Sequence, residues 1–307
     1  MSELRGYVLI MGAATLWGIS ATAAKLLLNR DIDTLLIVQC RVTFSCLLLL
    51  AFFLFFKPEV LRVKVRDLWQ FALAGIVGVA GANFTYYFAI KESTVATAIL
   101  IQYTAPLAVM AYAALTRTET FGGGKIVAAL LSLFGCFLAV GAYNPSVIRI
   151  TPIGLLSACG SMLTFAFLNI YTRHLLTRYS LWTTTFFAFL FASLFWLILN
   201  PPWAVAASNL STELWTGLFV LAVISVLIPH TLFFAGLRHL SSSRAMITST
   251  LEPIIAILSA ALVLGELLEP LQAVGAILVL TAIITLQVKR GTDTPVPSAV
   301  PATHDDA

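Results

Sequence analysis

Two stretches of this sequence decide its fold: PLAVMAYAALTRTE at residues 106–119 and PIIAILSAALVLGE at residues 253–266. Each opens on a proline and closes on a glutamate. Both pairs are separated by one distance: 253 − 106 = 147 and 266 − 119 = 147. Without a gap, Ala113, Ala114 and Leu115 meet Ala260, Ala261 and Leu262, and Val127, Ala129, Leu131 and Leu133 meet Val274, Ala276, Leu278 and Leu280. Leucine and alanine matches come cheaply in apolar helices. A proline and a glutamate in fixed register do not. Upstream at the same shift, Asn83-Phe84-Thr85-Tyr86-Tyr87 meets His230-Thr231-Leu232-Phe233-Phe234. A shift of one more lays Gly6 on Gly154, Gly12 on Gly160, Trp17 on Phe165 and Lys25 on Arg173.

The repeated unit is too apolar for water. Of 307 residues, 60% are hydrophobic and 10% charged, against about 45–50% and about 25% in soluble domains. A single core could not hide that much apolar surface, so a bilayer is the solvent. A spanning helix takes about 20 mostly apolar residues. Ten such runs are read at residues 5–28, 34–56, 68–90, 94–116, 121–143, 152–174, 180–199, 213–236, 242–264 and 268–288. Helix is the expected state, because backbone groups in lipid must be satisfied within the segment. The alternation of a barrel strand is absent. Met1–Arg5 ahead of an apolar run imitates a signal peptide, with Ala21–Ala24 as a cleavage region. The run is too long for that, at about 20 residues, and its match to the segment after Gly154 makes it part of the fold.

Five spans per half is an odd number, so the second half enters the membrane from the opposite side. The expectation is an all-α polytopic membrane protein of two inverted five-helix repeats. Secondary transporters use this architecture, with the substrate site near the midplane between the halves. The first repeat is read as residues 1–148 and the second as 149–290. Residues 291–307 are polar and proline-containing, and read as a disordered tail.

Basic residues set the orientation. With the N-terminus inside, the inner segments hold Arg5, Lys57, Arg62, Lys64, Arg66, Arg117, Lys125, Arg173, Arg178, Arg238, Arg244, Lys289 and Arg290, and the outer ones Lys25, Arg30, Lys91 and Arg149. The imbalance of 13 to 4 places both termini in the cytoplasm. The net charge of +4 reads as membrane orientation, not nucleic-acid binding. Cys40, Cys46, Cys136 and Cys159 fall inside apolar runs without a CxxC pair, which suits neither a disulfide framework nor a zinc site.

The run Ser241-Ser-Ser-Arg-Ala-Met-Ile-Thr-Ser-Thr-Leu-Glu-Pro-Ile-Ile-Ala256, with Leu264-Gly265-Glu266 after it, resembles the signature of the drug/metabolite transporter superfamily, EamA type. So does Ala14-Thr-Leu-Trp-Gly18. The resemblance covers residues 5–288 as two tandem units. It implies an exporter of amino acids, other small metabolites or drugs in a bacterial inner membrane. The aromatic residues around the expected cavity add a likeness to aromatic amino-acid exporters. The first half departs from the pattern: Thr104-Ala105-Pro106 stands where the second has Leu251-Glu252-Pro253.

Polar residues deep in a bilayer are costly and become functional candidates. Asn83, Tyr86 and Tyr87 share a helix face at i, i+3, i+4 spacing; His230, Phe233 and Phe234 form its counterpart. Gln102 and Pro106 share another face, and Ser249, Glu252, Pro253 and Ala256 a fourth. Trp17 and Phe165 lie mid-span. The expected substrate site is Trp17, Asn83, Tyr86, Tyr87, Gln102, Phe165, His230 and Glu252, with kinks at Pro106 and Pro253, which free backbone carbonyls. Such a cavity suits a zwitterion with an apolar side chain. Against this, Asn83 and Gln102 have a plain role as ties between helices, and His230, Tyr86 and Tyr87 as packing. Glu252 has three readings: counter-charge for an ammonium, proton-coupling group, or neutral acid bonded to a neighbour. Glu119 and Glu266 read as structural. Arg41, about eight residues into its span, is expected to snorkel outward. Leu131 and Leu278 are expected to face lipid.

No HExxH, GxSxG or strand-linked GxGxxG occurs, and no aspartate lies well inside a span. The expectation is a transporter and not an enzyme, without cofactor or metal. Its partners are a small-molecule substrate and the lipid bilayer, with no nucleic acid.

Overall fold

The computed structural model describes residues 2–28, 32–119, 122–145, 148, 151–208, 210–264 and 269–288. Gly265, Glu266, Arg149 and the expected tail 291–307 lie outside them. Ten helices cross the membrane: α1 (Ser2–Leu28), α2 (Thr34–Phe56), α3 (Leu68–Ala72, Leu73–Ala80 and Gly81–Glu92), α4 (Val95–Gln102 and Ala105–Leu115), α5 (Gly123–Ala139), α6 (Pro152–Leu175), α7 (Leu181–Leu199), α8 (Thr212–Ala222, Val223–Leu227 and Ile228–Leu237), α9 (Ser242–Ser249 and Leu251–Leu264) and α10 (Pro270–Val288). Among the described residues, nine are long and apolar enough to span, and α5 is a shorter apolar helix that completes the set.

Side chains at the starts hold the orphan backbone N–H groups of several helices. Asp33 accepts from Leu35, Thr94 from Thr97, Thr151 from Gly154 and Ser180 from Thr183. The fifth span is shorter than the expected 121–143. Gly141 adopts a left-handed φ of 72°, and Ala142 N–H donates back to the Phe137 carbonyl at 3.0 Å. That motif terminates α5 at Ala139.

The halves interlock. α1 packs against α8 and α9 of the second half, and α6 packs against α3 and α4 of the first. Contacts between loops and helix ends sort into two ends of the bundle. At one end Gln39 and Asn200 exchange hydrogen bonds of 2.7 Å, and the Thr151 hydroxyl donates to the Glu92 carbonyl. At the other end, which carries most of the basic residues, Thr183 donates to the Val60 carbonyl and Ser243 N–H to Glu119. We call this second end the basic end.

Backbone irregularities recur at the repeat shift. A π segment occupies Leu73–Ala80 in α3 and Val223–Leu227 in α8, and 223 − 76 = 227 − 80 = 147. α4 breaks at Tyr103–Thr104 and α9 at Thr250, three residues or fewer before Pro106 and Pro253. Two expected exposures are corrected. Leu131 packs against the main core and is half-buried, as is Leu278. Leu130 and Ile277, one residue earlier, face outward instead. The cause is the close seam between α5 and α10, where a Cβ at Gly275 would stand 2.5 Å from Ala139 N.

Candidate functional site

The aromatic part of the site is a cluster around Trp17. Its ring lies 5.2 Å from His230 and 6.4 Å from Phe165, both edge-on, and 5.4 Å from Phe233. Phe233 stacks on Phe165 at 6.3 Å, and Phe189 of α7 closes on His230 at 5.6 Å. Edge-to-face contacts at these distances are favourable and directional, so four helices hold one wall in place. His230 Nδ1 donates to the Val226 carbonyl of its own helix at 3.0 Å. Its other ring nitrogen is therefore an acceptor in the neutral ring.

The polar part contains a residue that sequence reasoning missed. Arg41 does not snorkel outward. Its Nε donates to Ser225 Oγ and its Nη1 to the Tyr87 hydroxyl, each at 2.7 Å, and Nη2 reaches the Ser225 carbonyl at 3.4 Å. Ser225 lies in the π segment of α8, a distortion often found at functional sites. Ser45 donates to both the Arg41 and Ala222 carbonyls, fastening α2 to α8 beside the guanidinium. Water-facing loops were open to Arg41; three neutral acceptors inside the bundle hold it instead.

Glu252 faces the same region. The Tyr103 hydroxyl lies close to its carboxyl group, and among the described residues Glu252 makes no ion pair with Arg41. Tyr86 lies within the field of both charges and meets Tyr87 edge-on at 5.4 Å. Glu252 sits deep in the bundle, yet it, Trp17, Tyr86, Tyr87 and Arg41 all keep accessible surface. A deep polar position that keeps accessible surface is what a substrate-facing group requires. Gln102 is half-buried beside Tyr103, and among the described residues its amide has no hydrogen-bonded partner. Asn83 donates to the Val79 carbonyl of its own helix at 2.7 Å and, among the described residues, ties no second helix. Of the eight expected residues, the structure thus joins Trp17, Phe165 and His230 by ring contacts, Tyr87 to Arg41 by a hydrogen bond and Tyr86 to Tyr87 by a ring contact; Glu252 has no direct contact with Arg41 among the described residues. Asn83 lies one turn from Tyr87. Pro106 and Pro253 are buried just after the breaks in α4 and α9.

Below this region the basic end is packed shut. Leu240 through Leu251 are all buried. Glu119 pairs with Lys125 at 3.2 Å and accepts from Ser243 N–H at 3.2 Å, while Arg244 pairs with Glu3 at 3.3 Å. The bonds of Ser243 to Glu119 and of Arg244 to Glu3 cross from one repeat to the other. A cleft of about 220 Å³ lined by Tyr112, Glu119, Arg173 and His174 lies at that end, away from the aromatic cluster.

The model of the EamA-like transporter family matches residues 4–141 and 152–287. The chain belongs to the EamA-like transporter family. It is a multi-pass membrane transporter. Among its relatives is an uncharacterized inner membrane transporter, YicL, of Salmonella typhimurium, 26% identical over 290 residues, covering 93% of this chain and 96% of the relative. Another is the threonine/homoserine exporter RhtA of Escherichia coli, 26% identical over 262 residues, covering 83% of this chain and 82% of that one. A solved crystal structure superposes with a TM-score of 0.77 at 20% identity, over 92% of this chain and 96% of the other. That likeness concerns the fold of this EamA-like transporter.

Proposed function

We propose that this EamA-like transporter exports amino acids, with apolar or small side chains, from the bacterial cytoplasm by alternating access. The observation that carries the reading is the cavity wall. A carboxylate, Glu252, and a hydroxyl set, Tyr86, Tyr87 and Tyr103, stand beside a fixed aromatic surface of Trp17, Phe165 and His230. Polar groups orient a zwitterion and the rings receive its side chain. Gln102 and Asn83 complete the lining. The threonine/homoserine exporter among the relatives supports this class of cargo. The repeats act as the units 1–148 and 149–290, rocking about the breaks before Pro106 and Pro253.

In this reading the basic end faces the cytoplasm, as the asymmetry of basic residues requires. The packed layer from Leu240 to Leu251 then closes the inner side, and the accessible cavity faces outward. Single cysteines at Ser208 and Ser298, in a chain without the native four, test the orientation. An impermeant thiol reagent on intact cells should label Ser208→Cys and spare Ser298→Cys; equal labelling rejects the two-sided arrangement.

The cargo test is flux of an amino-acid and metabolite panel into liposomes holding the purified protein, with and without a proton gradient. At least one amino acid should move about tenfold faster than in empty liposomes. Movement of drugs or other metabolites alone would assign a different cargo class of the same superfamily. A flux that the proton gradient leaves unchanged would identify a facilitator.

A further inference from the structure

Arg41 is the least explained charge in the molecule. It lies seven residues from the start of α2 at Thr34, or about 10 Å along the helix at 1.5 Å per residue. A cation at that depth is expensive and is found paired or functional. Its stem is long enough to reach the interface, yet it turns inward. All its partners are neutral: the Tyr87 hydroxyl and the hydroxyl and carbonyl of Ser225. Ser225 Oγ donates its own hydrogen to the Leu221 carbonyl at 2.5 Å, which leaves its lone pairs for the guanidinium. The group is thus held rigidly, and no carboxylate lies within ion-pair distance of it among the described residues.

A guanidinium has five N–H donors. The three contacts engage one on each nitrogen, which leaves one on each terminal nitrogen. A carboxylate accepts such a pair in the bidentate manner. The opposite charge deep in the second repeat is Glu252, half-buried in the first turn of the Leu251–Leu264 segment of α9, and Tyr86, which meets the Arg41 partner Tyr87 edge-on at 5.4 Å, is half-buried as well. The two charges come from different repeats and make no ion pair among the described residues. The Trp17 cluster is tied to the Arg41 site along α8, where Ser225, which holds the guanidinium, precedes His230, which touches Trp17, by five residues.

We propose that Arg41 binds the substrate's carboxylate while Glu252, backed by the buried Tyr103, receives its ammonium group, so that the site is a receptor for zwitterions. This rests on the exporter reading and adds the residue that selects for a carboxylate. Ser225 and Tyr87 are positioning residues that aim the guanidinium.

The test uses the full chain in liposomes and radiolabelled threonine and phenylalanine, with each amino acid's amide as competitor. The wild-type protein should be inhibited at least tenfold more strongly by the acid than by the amide. Arg41→Gln should reduce flux more than tenfold and abolish the preference for acid over amide; Arg41→Lys should keep part of both. Ser225→Ala should weaken the preference several-fold while the protein remains folded by gel filtration. Equal inhibition by acid and amide in the wild type, or an acid preference that survives in folded Arg41→Gln protein, would overturn the assignment. A protein that moves carboxylate-bearing metabolites but no amino acid would remove the exporter reading, and Arg41 would stand on the same acid–amide comparison made with those metabolites. One that moves only cations or neutral compounds would overturn both.

Discussion

The two repeats share a backbone and divide the chemistry. The π segments, the helix breaks and the prolines recur at a shift of 147, but the side chains that face the cavity do not. Asn83, Tyr86 and Tyr87 stand opposite His230, Phe233 and Phe234. Arg41 has its counterpart in Phe189 (41 + 148 = 189), and Glu252 in Ala105 (252 − 147 = 105). The flanking serines show that the register of the first pair holds, since Ser45 falls on Ser193 at the same shift. Each half therefore contributes one charge, and the position related by symmetry is apolar. The lesson is that the irregular backbone is shared between the halves, whereas two arginines or two glutamates brought together by the symmetry would repel. One charge of each sign, held on separate halves, makes the site sensitive to how the halves sit together.

The largest expected effects break the comparison at helix crossings. A Cβ at Gly18 would stand 2.7 Å from the Glu252 carbonyl and 2.9 Å from Ala256 N, and one at Gly75 2.5 Å from the Ala188 carbonyl. The symmetric positions are Ala166 (18 + 148) and Ala222 (75 + 147), where a methyl is already housed. Gly18→Ala and Gly75→Ala force backbones apart, which costs more than the roughly 1–3 kcal/mol of ordinary overpacking. Folded protein should fall to a small fraction of wild type by fluorescence-detected gel filtration. Ala166→Gly and Ala222→Gly should cost only about 1 kcal/mol and leave most of the protein folded. Equal losses at all four would show that the crossings are as tight in one half as in the other.

Next comes the charge that the first repeat lacks. Glu252→Gln keeps shape and hydrogen-bonding capacity but removes the charge. Transport should drop more than tenfold with protein levels unchanged, while Phe189→Leu, at the position symmetric to Arg41, should lower it only a few-fold through the His230 contact. Normal transport by Glu252→Gln at every pH, with poorly folded Glu252→Ala, would reduce the carboxylate to a structural bond with Tyr103.

Much of this was legible in the sequence because membrane spans and repeats are written in hydrophobicity and register. The ten helices follow from the apolar runs, and the inverted halves and the equivalence of Pro106 and Pro253 from the 147-residue shift. The meeting of Trp17 and Phe165 was legible too, through their match at the repeat shift. Arg41 was not, because a lone arginine seven residues from a helix end fits snorkelling equally well, and only the position of Ser225 decides its direction. The available signal was Phe189: a charge replaced by an aromatic ring at the symmetric place marks a position that packing does not need charged. Tyr103 was hidden for another reason. It lies at the break in α4, where the helical face pattern that grouped Gln102 with Pro106 no longer holds.

A smaller effect is expected at the basic end. Glu3–Arg244 and Glu119–Ser243 join the repeats only while that end is closed. A conformation with the end open loses them, so removing them shifts the populations by their differential stability. Glu3 keeps about a third of its side chain exposed, so water screens its pair with the buried Arg244. Glu119 is well buried and also holds Lys125. A cysteine at Ser249, inside the packed layer, should react with a permeant thiol reagent severalfold faster in Glu119→Gln protein and about twofold faster in Glu3→Gln. Unchanged rates in both would mean that apolar packing alone closes the end.

The smallest effects belong to α5 and α10, which pair with each other and contribute nothing to the aromatic cluster. Their outer faces meet lipid: Leu130 is 57% exposed and Ile277 62%. Lipid tails are as apolar as a leucine side chain, so burial against protein brings no hydrophobic gain there. Leu130→Ala and Ile277→Ala should therefore leave transport within about twofold and stability within about 0.5 kcal/mol. Leu131 is one residue away but packs on the core. Leu131→Ala leaves a space between helices and should cost about 2 kcal/mol, within the range for large-to-small core changes, read as a lower thermal midpoint with the acid–amide preference intact. If Leu130→Ala lowered the midpoint as much as Leu131→Ala, the face of α5 assigned to lipid would be buried, and a second copy of the chain would be the first occupant to test there by cross-linking.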